Sequence, residues 1–76
     1  MKWKRIEINP KILCGKPVIK GTRIPVSLIL NLLGHGYTKQ QILDAYPQLS
    51  EEDIDNAVKF AASLANFEEV ELPART

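Results

Sequence analysis

Prolines and glycines interrupt the first third of this chain so often that no long helix can form there. Asn9-Pro10 favours a turn, and Gly15 and Gly21 flank a short extended piece at residues 17–19. The residue before Pro25 is pushed out of the helical region. Residues 5–8 alternate polar and apolar side chains, which is the period of a half-buried strand. Residues 1–25 are therefore predicted to form short strands and turns, as a β arm or hairpin that must rest on another part of the protein.

The remainder of the chain carries helix signals. Residues 26–33 are apolar on most faces and lie between Pro25 and Gly34, which is the expected asymmetry of helix ends. Thr38 with Gln41 predicts a capping box that opens a second helix over residues 39–46. Pro47 is predicted to end that helix.

A third helix is predicted over residues 51–66. Ser50 with Asp53 forms a weaker version of the capping box, and Glu51, Glu52 and Asp53 in the first turn match the helix dipole as solvated acids. The predicted fold is mainly α, a three-helix bundle with a short N-terminal β arm. It is a single domain over residues 1–76, with an arm at 1–25, a helical core at 26–66 and a flexible tail at 67–76.

A domain of 76 residues has a thin core, and this one lacks the usual supplements. It contains one cysteine and one histidine, so neither an intrachain disulfide nor a His/Cys metal cage can be built from a single chain. We therefore expect a homodimer that uses the arm and an apolar face of the first helix.

The charge of the chain is divided between its two parts. Residues 1–25 hold seven basic residues and one acid, a balance of +6, whereas residues 26–76 hold three basic residues and eight acids, a balance of −5. Such a division suits a polyanionic or acidic partner for the arm, or an attraction between the two parts within a dimer. Charge alone does not decide between these interpretations.

The residues of chemical interest favour binding over catalysis. His35 lies between two glycines at a helix end, where it is expected to contact the last carbonyls. Cys14 beside Gly15 is interpreted as a small apolar filler. No nucleophile, general base or metal set is evident, so we expect no enzyme activity and no cofactor. No apolar run approaches the length of a membrane span, and a free cysteine without an export signal suggests the cytoplasm and no membrane partner.

The second and third predicted helices have the lengths of a helix-turn-helix. A recognition helix would place its N-terminal residues in the major groove of DNA, but here those residues are acidic. If the protein binds DNA, the contacts must come mostly from elsewhere. The candidates are three residues of the arm and two of the second helix: Lys16, Lys20, Arg23, Lys39 and Gln40.

Much of the sequence resembles a known family. Residues 12–26, Ile-Leu-Cys-Gly-Lys-Pro-Val-Ile-Lys-Gly-Thr-Arg-Ile-Pro-Val, are similar to the bacterial domain of unknown function 433 family. The likeness continues through Gly36-Tyr37 and Tyr46-Pro47 to Ala57 and covers roughly residues 6–66. That resemblance implies a homeodomain-like three-helix core with a β arm. It also implies a VapB-type antitoxin paired with a PIN-like nuclease toxin.

The leading hypothesis is therefore a dimeric DNA-binding antitoxin that neutralises a PIN-like toxin. Part of the C-terminal tail is the candidate for contact with that partner, namely Phe67, Glu68, Val70 and Leu72. The alternative is a protein–protein interaction module that binds no nucleic acid, which the acidic start of the third helix favours.

Overall fold

The computed structural model describes residues 5–65. In this range the chain forms two very short strands, β1 (Ile6–Glu7) and β2 (Val18–Ile19), followed by three helices, α1 (Val26–Gly34), α2 (Lys39–Ala45) and α3 (Glu51–Leu64). A single 3₁₀ turn at Leu13–Gly15 lies between the strands. The expected β arm and three helices are confirmed, and α1 and α2 end within one residue of the predicted positions.

The arm is held together by backbone hydrogen bonds around β2. The two strands pair antiparallel, with Ile6 opposite Ile19 and Glu7 opposite Val18. Beyond β2 the chain turns back, so that Ile19 N donates to Ile24 O at 2.9 Å. Val26 N, the first amide of α1, donates to Pro17 O at 2.9 Å. β2 is therefore fixed on one side by β1 and on the other by the residues that lead into α1.

Backbone conformation explains the glycines of the arm. Gly15 and Gly21, which flank the extended piece at residues 17–19, have φ of +84° and +81°, a conformation that glycine adopts without strain. Leu13 and Cys14, which are not glycines, also have positive φ, at 49° and 57°. The interpretation of Cys14 as a buried apolar filler is wrong, because this left-handed turn leaves its side chain exposed.

The core lies where the three helices and β2 meet. Ile29 of α1, Ile42 of α2 and Ile54 of α3 are almost fully buried, and Val18 and Ile19 of the arm are fully buried beside Ile24. The arm rests on the helices, as predicted, and it also contributes residues to the core. No helix within residues 5–65 is long and apolar enough to cross a membrane.

Candidate functional site

Asp53, in the first turn of α3, is a fully buried acid. Its carboxylate accepts a hydrogen bond from Ser50 N at 3.0 Å, while its own amide donates to Ser50 Oγ at 3.2 Å. These two bonds complete the capping box that the sequence predicted in weaker form. The expectation that Asp53 is a solvated acid is wrong, because its carboxylate is turned back onto the start of its own helix.

The same carboxylate binds Arg5 from the opposite end of the described chain. Arg5 Nε donates to Asp53 Oδ1 at 2.6 Å, and Arg5 Nη2 donates to Asp53 Oδ2 at 3.2 Å. This bidentate geometry is the strongest form of a side-chain ion pair. It attaches the residue before β1 to the start of α3, across 48 positions of sequence. Arg5 therefore serves the fold and does not belong to the free positive charge of the arm.

The pKa of Asp53 reflects this environment. Burial acts to raise the pKa of the carboxyl, but hydrogen bonds from Arg5 and Ser50 and the charge of Arg5 outweigh it, so the pKa lies below the ordinary value of 3.8. Asp53 is accordingly ionised at neutral pH, as a partner of arginine should be. The pKa of Arg5 is raised in turn, mainly by its hydrogen bond to Asp53.

A second pair of contacts joins α2 to α3 at the surface. Lys39 Nζ lies 2.6 Å from Asp55 Oδ1 and 3.7 Å from Glu51 Oε2. The hydrogen bond to Asp55 is the main reason that the pKa of Lys39 is raised. Gln40 Nε2 donates to Asp44 Oδ1 at 2.9 Å on the same helix. Both α2 residues that the sequence proposed for DNA contact therefore have intramolecular partners.

The three candidates for DNA contact in the arm differ from Lys39 and Gln40 in having no side-chain partner among the described residues. Lys16, Lys20 and Arg23 are exposed, and none of them forms an ion pair with any residue between 5 and 65. Lys11, also exposed, has no side-chain ion pair in that range either. Within residues 5–65, Arg23 forms no salt bridge to an acid of the helical half. Apart from Lys59 of α3, the exposed cations without an ion pair among the described residues thus lie in the arm.

An apolar groove lies beside this arm. It has a volume of about 290 Å³ and opens between the start of α1 and the end of α3. Lys16 and Ser27 supply its polar lining. Its apolar lining comes from the arm, α1 and α3: Pro17, Val26, Leu30, Phe60, Ala61 and Leu64. This groove combines an apolar floor with a cation. It was not predictable from the sequence, because no local pattern relates the start of α1 to the end of α3.

His35 and the acidic side chains complete the set of residues singled out from the sequence. His35 Nδ1 donates to Asn31 O at 2.7 Å, at the end of α1, as its position between glycines predicted. Between residues 5 and 65, no three His, Cys, Asp or Glu side chains lie close enough together to hold a metal ion. The tail residues proposed for partner contact, Phe67, Glu68, Val70 and Leu72, lie outside the described residues.

The chain is similar in sequence and in fold to proteins whose function is not known. The family model described as "Protein of unknown function (DUF433)" matches residues 6–61. An uncharacterized protein, y4eO, of Sinorhizobium fredii (strain NBRC 101917 / NGR234) is 38% identical over 53 residues, which is 70% of this chain and 24% of that protein. The chain thus spans about a quarter of that relative.

A solved structure is similar as well. The crystal structure of a DUF433 member from Anabaena variabilis ATCC 29413 superposes with a TM-score of 0.77 and 29% identity. The superposition covers 82% of this chain and 61% of that one.

Proposed function

The chain belongs to the DUF433 family of proteins of unknown function, and we propose that it is a DNA-binding module of the antitoxin type whose arm makes the main contact with nucleic acid. The observation that carries this proposal is that three basic side chains of the arm are exposed and unpaired within residues 5–65. Lys16, Lys20 and Arg23 are exposed and without ion-pair partners among residues 5–65. Exposed cations on a fixed segment can bind the phosphates of DNA, and each such contact is favourable because it releases condensed counterions.

The mode of binding differs from that of an ordinary helix-turn-helix. In the proposed homeodomain-like arrangement, α2 and α3 correspond to the two helices of that motif, and α3 would enter the major groove. The exposed residues at the start of α3 include Glu51 and Glu52, and Lys39 is already paired with Glu51 and Asp55. Phosphates on either side of the groove would repel these acids. The arm is therefore the better contact surface, and α3 would face away from the duplex.

The protein partner of this module is proposed to be a PIN-like nuclease toxin. The C-terminal residues Phe67, Glu68, Val70 and Leu72 would supply apolar anchors flanked by acids. Association into a homodimer would double the number of arms on one duplex, which raises the affinity through effective concentration. Neither function requires a cofactor or a catalytic residue.

Salt dependence of DNA binding tests the proposal directly. Replacing Lys16, Lys20 and Arg23 together by Ala should flatten the slope of log K against log salt by about 2–3 units, since each neutralised phosphate contributes about −0.9. The measurement is fluorescence anisotropy with a duplex of roughly three helical turns, with light scattering on the same samples. Lys59→Ala, an exposed cation of α3, is the matched control and should leave the slope unchanged. A wild-type protein without measurable affinity at 50 mM salt, alone or mixed with its toxin, would contradict the proposal.

The second candidate function is a protein–protein interaction module without nucleic-acid binding. The apolar groove between α1 and α3 favours it, because such grooves accept an amphipathic segment of a partner. In that case the triple substitution should weaken dimerisation while no DNA affinity exists to be lost. Measuring both quantities on one variant separates the two functions.

A further inference from the structure

A four-residue basic turn, residues 20–23, joins β2 to the residues that lead into α1. The chain on either side of it is paired, since Ile19 N donates to Ile24 O at 2.9 Å and Val18 forms an isolated β-bridge with Pro25. Ile19 and Ile24, which flank the turn, are both buried in the core. The basic turn therefore lies at the surface between two buried anchors.

Hydrogen bonds fix the shape of the basic turn. Thr22 N donates to Ile19 O at 3.0 Å. The Thr22 hydroxyl donates to the same carbonyl at 2.7 Å and accepts from Ile24 N at 3.0 Å. Lys20 N donates to Arg5 O at 2.8 Å, which ties the turn to the residue before β1. A segment held in this way does not have to be ordered when it binds, and this lowers the entropic cost of association.

The outer side of the basic turn is narrow and cationic. Gly21, with a φ of +81°, has no side chain, and a Cβ atom at this position would meet no other atom within 4 Å. Lys20 and Arg23 are exposed on either side of it, and neither forms an ion pair within residues 5–65. The turn itself contains no acid. Two unpaired cations beside an unobstructed glycine suit a cleft of strongly negative potential.

We propose that the basic turn binds the minor groove of A·T-rich DNA, with the guanidinium of Arg23 inside the groove and Lys20 on a phosphate at its edge. This inference rests on the proposed DNA-binding function and adds which groove and which base composition are bound. A narrow minor groove, as in A-tracts, has an enhanced negative potential that attracts arginine side chains. A guanidinium is also more weakly hydrated than an ammonium, so it leaves bulk water at a lower cost.

The rest of the described structure favours the minor groove over the major groove. The elements that fit the major groove are a helix or a two-stranded ribbon. The start of α3 exposes Glu51 and Glu52, and the two residues of β2 are buried, so neither element presents a cationic surface to that groove. Of the two arginines within residues 5–65, Arg5 is paired with Asp53. Arg23 is therefore the arginine of this range that is available to a narrow groove.

Affinities of the full chain for three duplexes of equal length test this inference. The first has a central A-tract and the second has G·C pairs in its place. In the third, inosine replaces guanine in the G·C segment, which removes the amino group from the minor groove and leaves the hydrogen-bonding groups of the major groove unchanged. Fluorescence anisotropy should give a Kd roughly five- to tenfold lower for the A-tract than for the G·C duplex, the low end of the effect of one base-pair change. The inosine duplex should bind nearly as tightly as the A-tract, and an inosine duplex that binds like the G·C duplex would overturn the inference.

Two substitutions in the basic turn provide a matched pair. Arg23→Lys keeps the charge, so the dependence on salt should stay the same while the preference for the A-tract falls to within about twofold. Lys20→Ala removes a phosphate contact, so it should weaken binding to all three duplexes alike and flatten the slope of log K against log salt by about 1. A preference for the A-tract that survives Arg23→Lys would contradict the placement of Arg23 in the groove.

The wild-type results also separate this inference from the function on which it rests. Equal, salt-sensitive affinity for all three duplexes would overturn binding in the minor groove and leave the DNA-binding function in place. Absence of binding to all three duplexes at low salt would overturn both. A tighter complex with the A-tract and inosine duplexes, reduced by Arg23→Lys but not by Lys20→Ala, would support the inference.

Discussion

The starts of α2 and α3 carry the same capping motif in two different settings. At α2, Thr38 Oγ1 accepts from Gln41 N at 3.1 Å and Gln41 Oε1 accepts from Thr38 N at 2.8 Å, and both side chains are exposed. At α3 the equivalent bonds join Ser50 and Asp53, but the acid is fully buried and also binds Arg5. The first box is local to its helix, whereas the second also connects the arm to the helical core.

This difference shows that a local sequence motif can have a tertiary role. A glutamine at the third helical position has no charge, so it can complete the box but cannot attract a distant arginine. An aspartate has two oxygens with several acceptor sites, so it can close the box and bind a guanidinium at the same time. The identity of one residue therefore determines whether a helix start is isolated or joined to another part of the chain.

The largest effect is expected from Asp53→Ala. This change removes a helix cap and leaves the guanidinium of Arg5 without its partner, which together should lower the free energy of unfolding by about 2–4 kcal/mol. Urea denaturation measures the change, and Asp55→Ala is the control, because it removes a half-exposed acid of the same helix turn whose contact is a surface ion pair. A loss no larger than that of Thr38→Ala would show that the arm is not attached through Asp53.

The second largest effect is expected from acid, which should weaken the ion pair between Asp53 and Arg5. Because the pKa of Asp53 is lower in the folded protein than the ordinary value of 3.8, its contribution is fully present above that value and is lost as pH falls through the folded pKa. The wild-type protein should lose stability below about pH 4 by more than Asp53→Asn does. Denaturant midpoints at pH 6 and pH 3 provide the comparison, and parallel losses in both proteins would assign the acid sensitivity to other carboxyls.

Thr38→Ala should have a moderate effect. Its box is exposed and its side-chain hydrogen bonds join only Thr38 and Gln41, so the expected loss is about 1 kcal/mol, the usual value for a helix cap. The arm should remain in place, which amide exchange at Ile19 and Lys20 can report. Faster exchange at those two amides would mean that the α2 cap is coupled to the arm after all.

The smallest effect is expected from Lys39→Ala. Its ion pairs to Asp55 and Glu51 join exposed side chains, and such pairs contribute little to stability. The melting temperature should change only slightly at low salt and not at all in 1 M salt, where screening removes the attraction. A large decrease that persists in high salt would indicate that the α2–α3 contact depends on the stem of this lysine.

Local signals explain which parts of the fold were predictable. Thr38, Ser50 and the glycines at 15 and 21 act through bonds or dihedral angles within a few residues, so sequence reasoning located both boxes and both turns. The pairing of Arg5 with Asp53 spans 48 positions, and no periodic pattern connects them. Arg5 was counted with the free charges of the arm for this reason.

The candidate site was predictable to a similar extent. Charge counting identified Lys16, Lys20 and Arg23, and the structure leaves them exposed. It also named Lys39, whose partner Asp55 is a neighbour only after α2 packs on α3. Likewise, the apolar groove forms only when the start of α1 packs beside the end of α3. Features that arise from packing between distant segments were beyond a single sequence.

The Arg5–Asp53 pair also has a consequence for the order of events during synthesis. Arg5 leaves the ribosome 48 residues before Asp53, so the arm cannot be attached through this pair until most of the domain has been made. At 5–20 residues per second, that interval lasts roughly 2–10 s. During this time the guanidinium of Arg5 adds to the free cations of the growing chain. A newly made arm therefore carries one more unpaired cation than the arm of the finished protein.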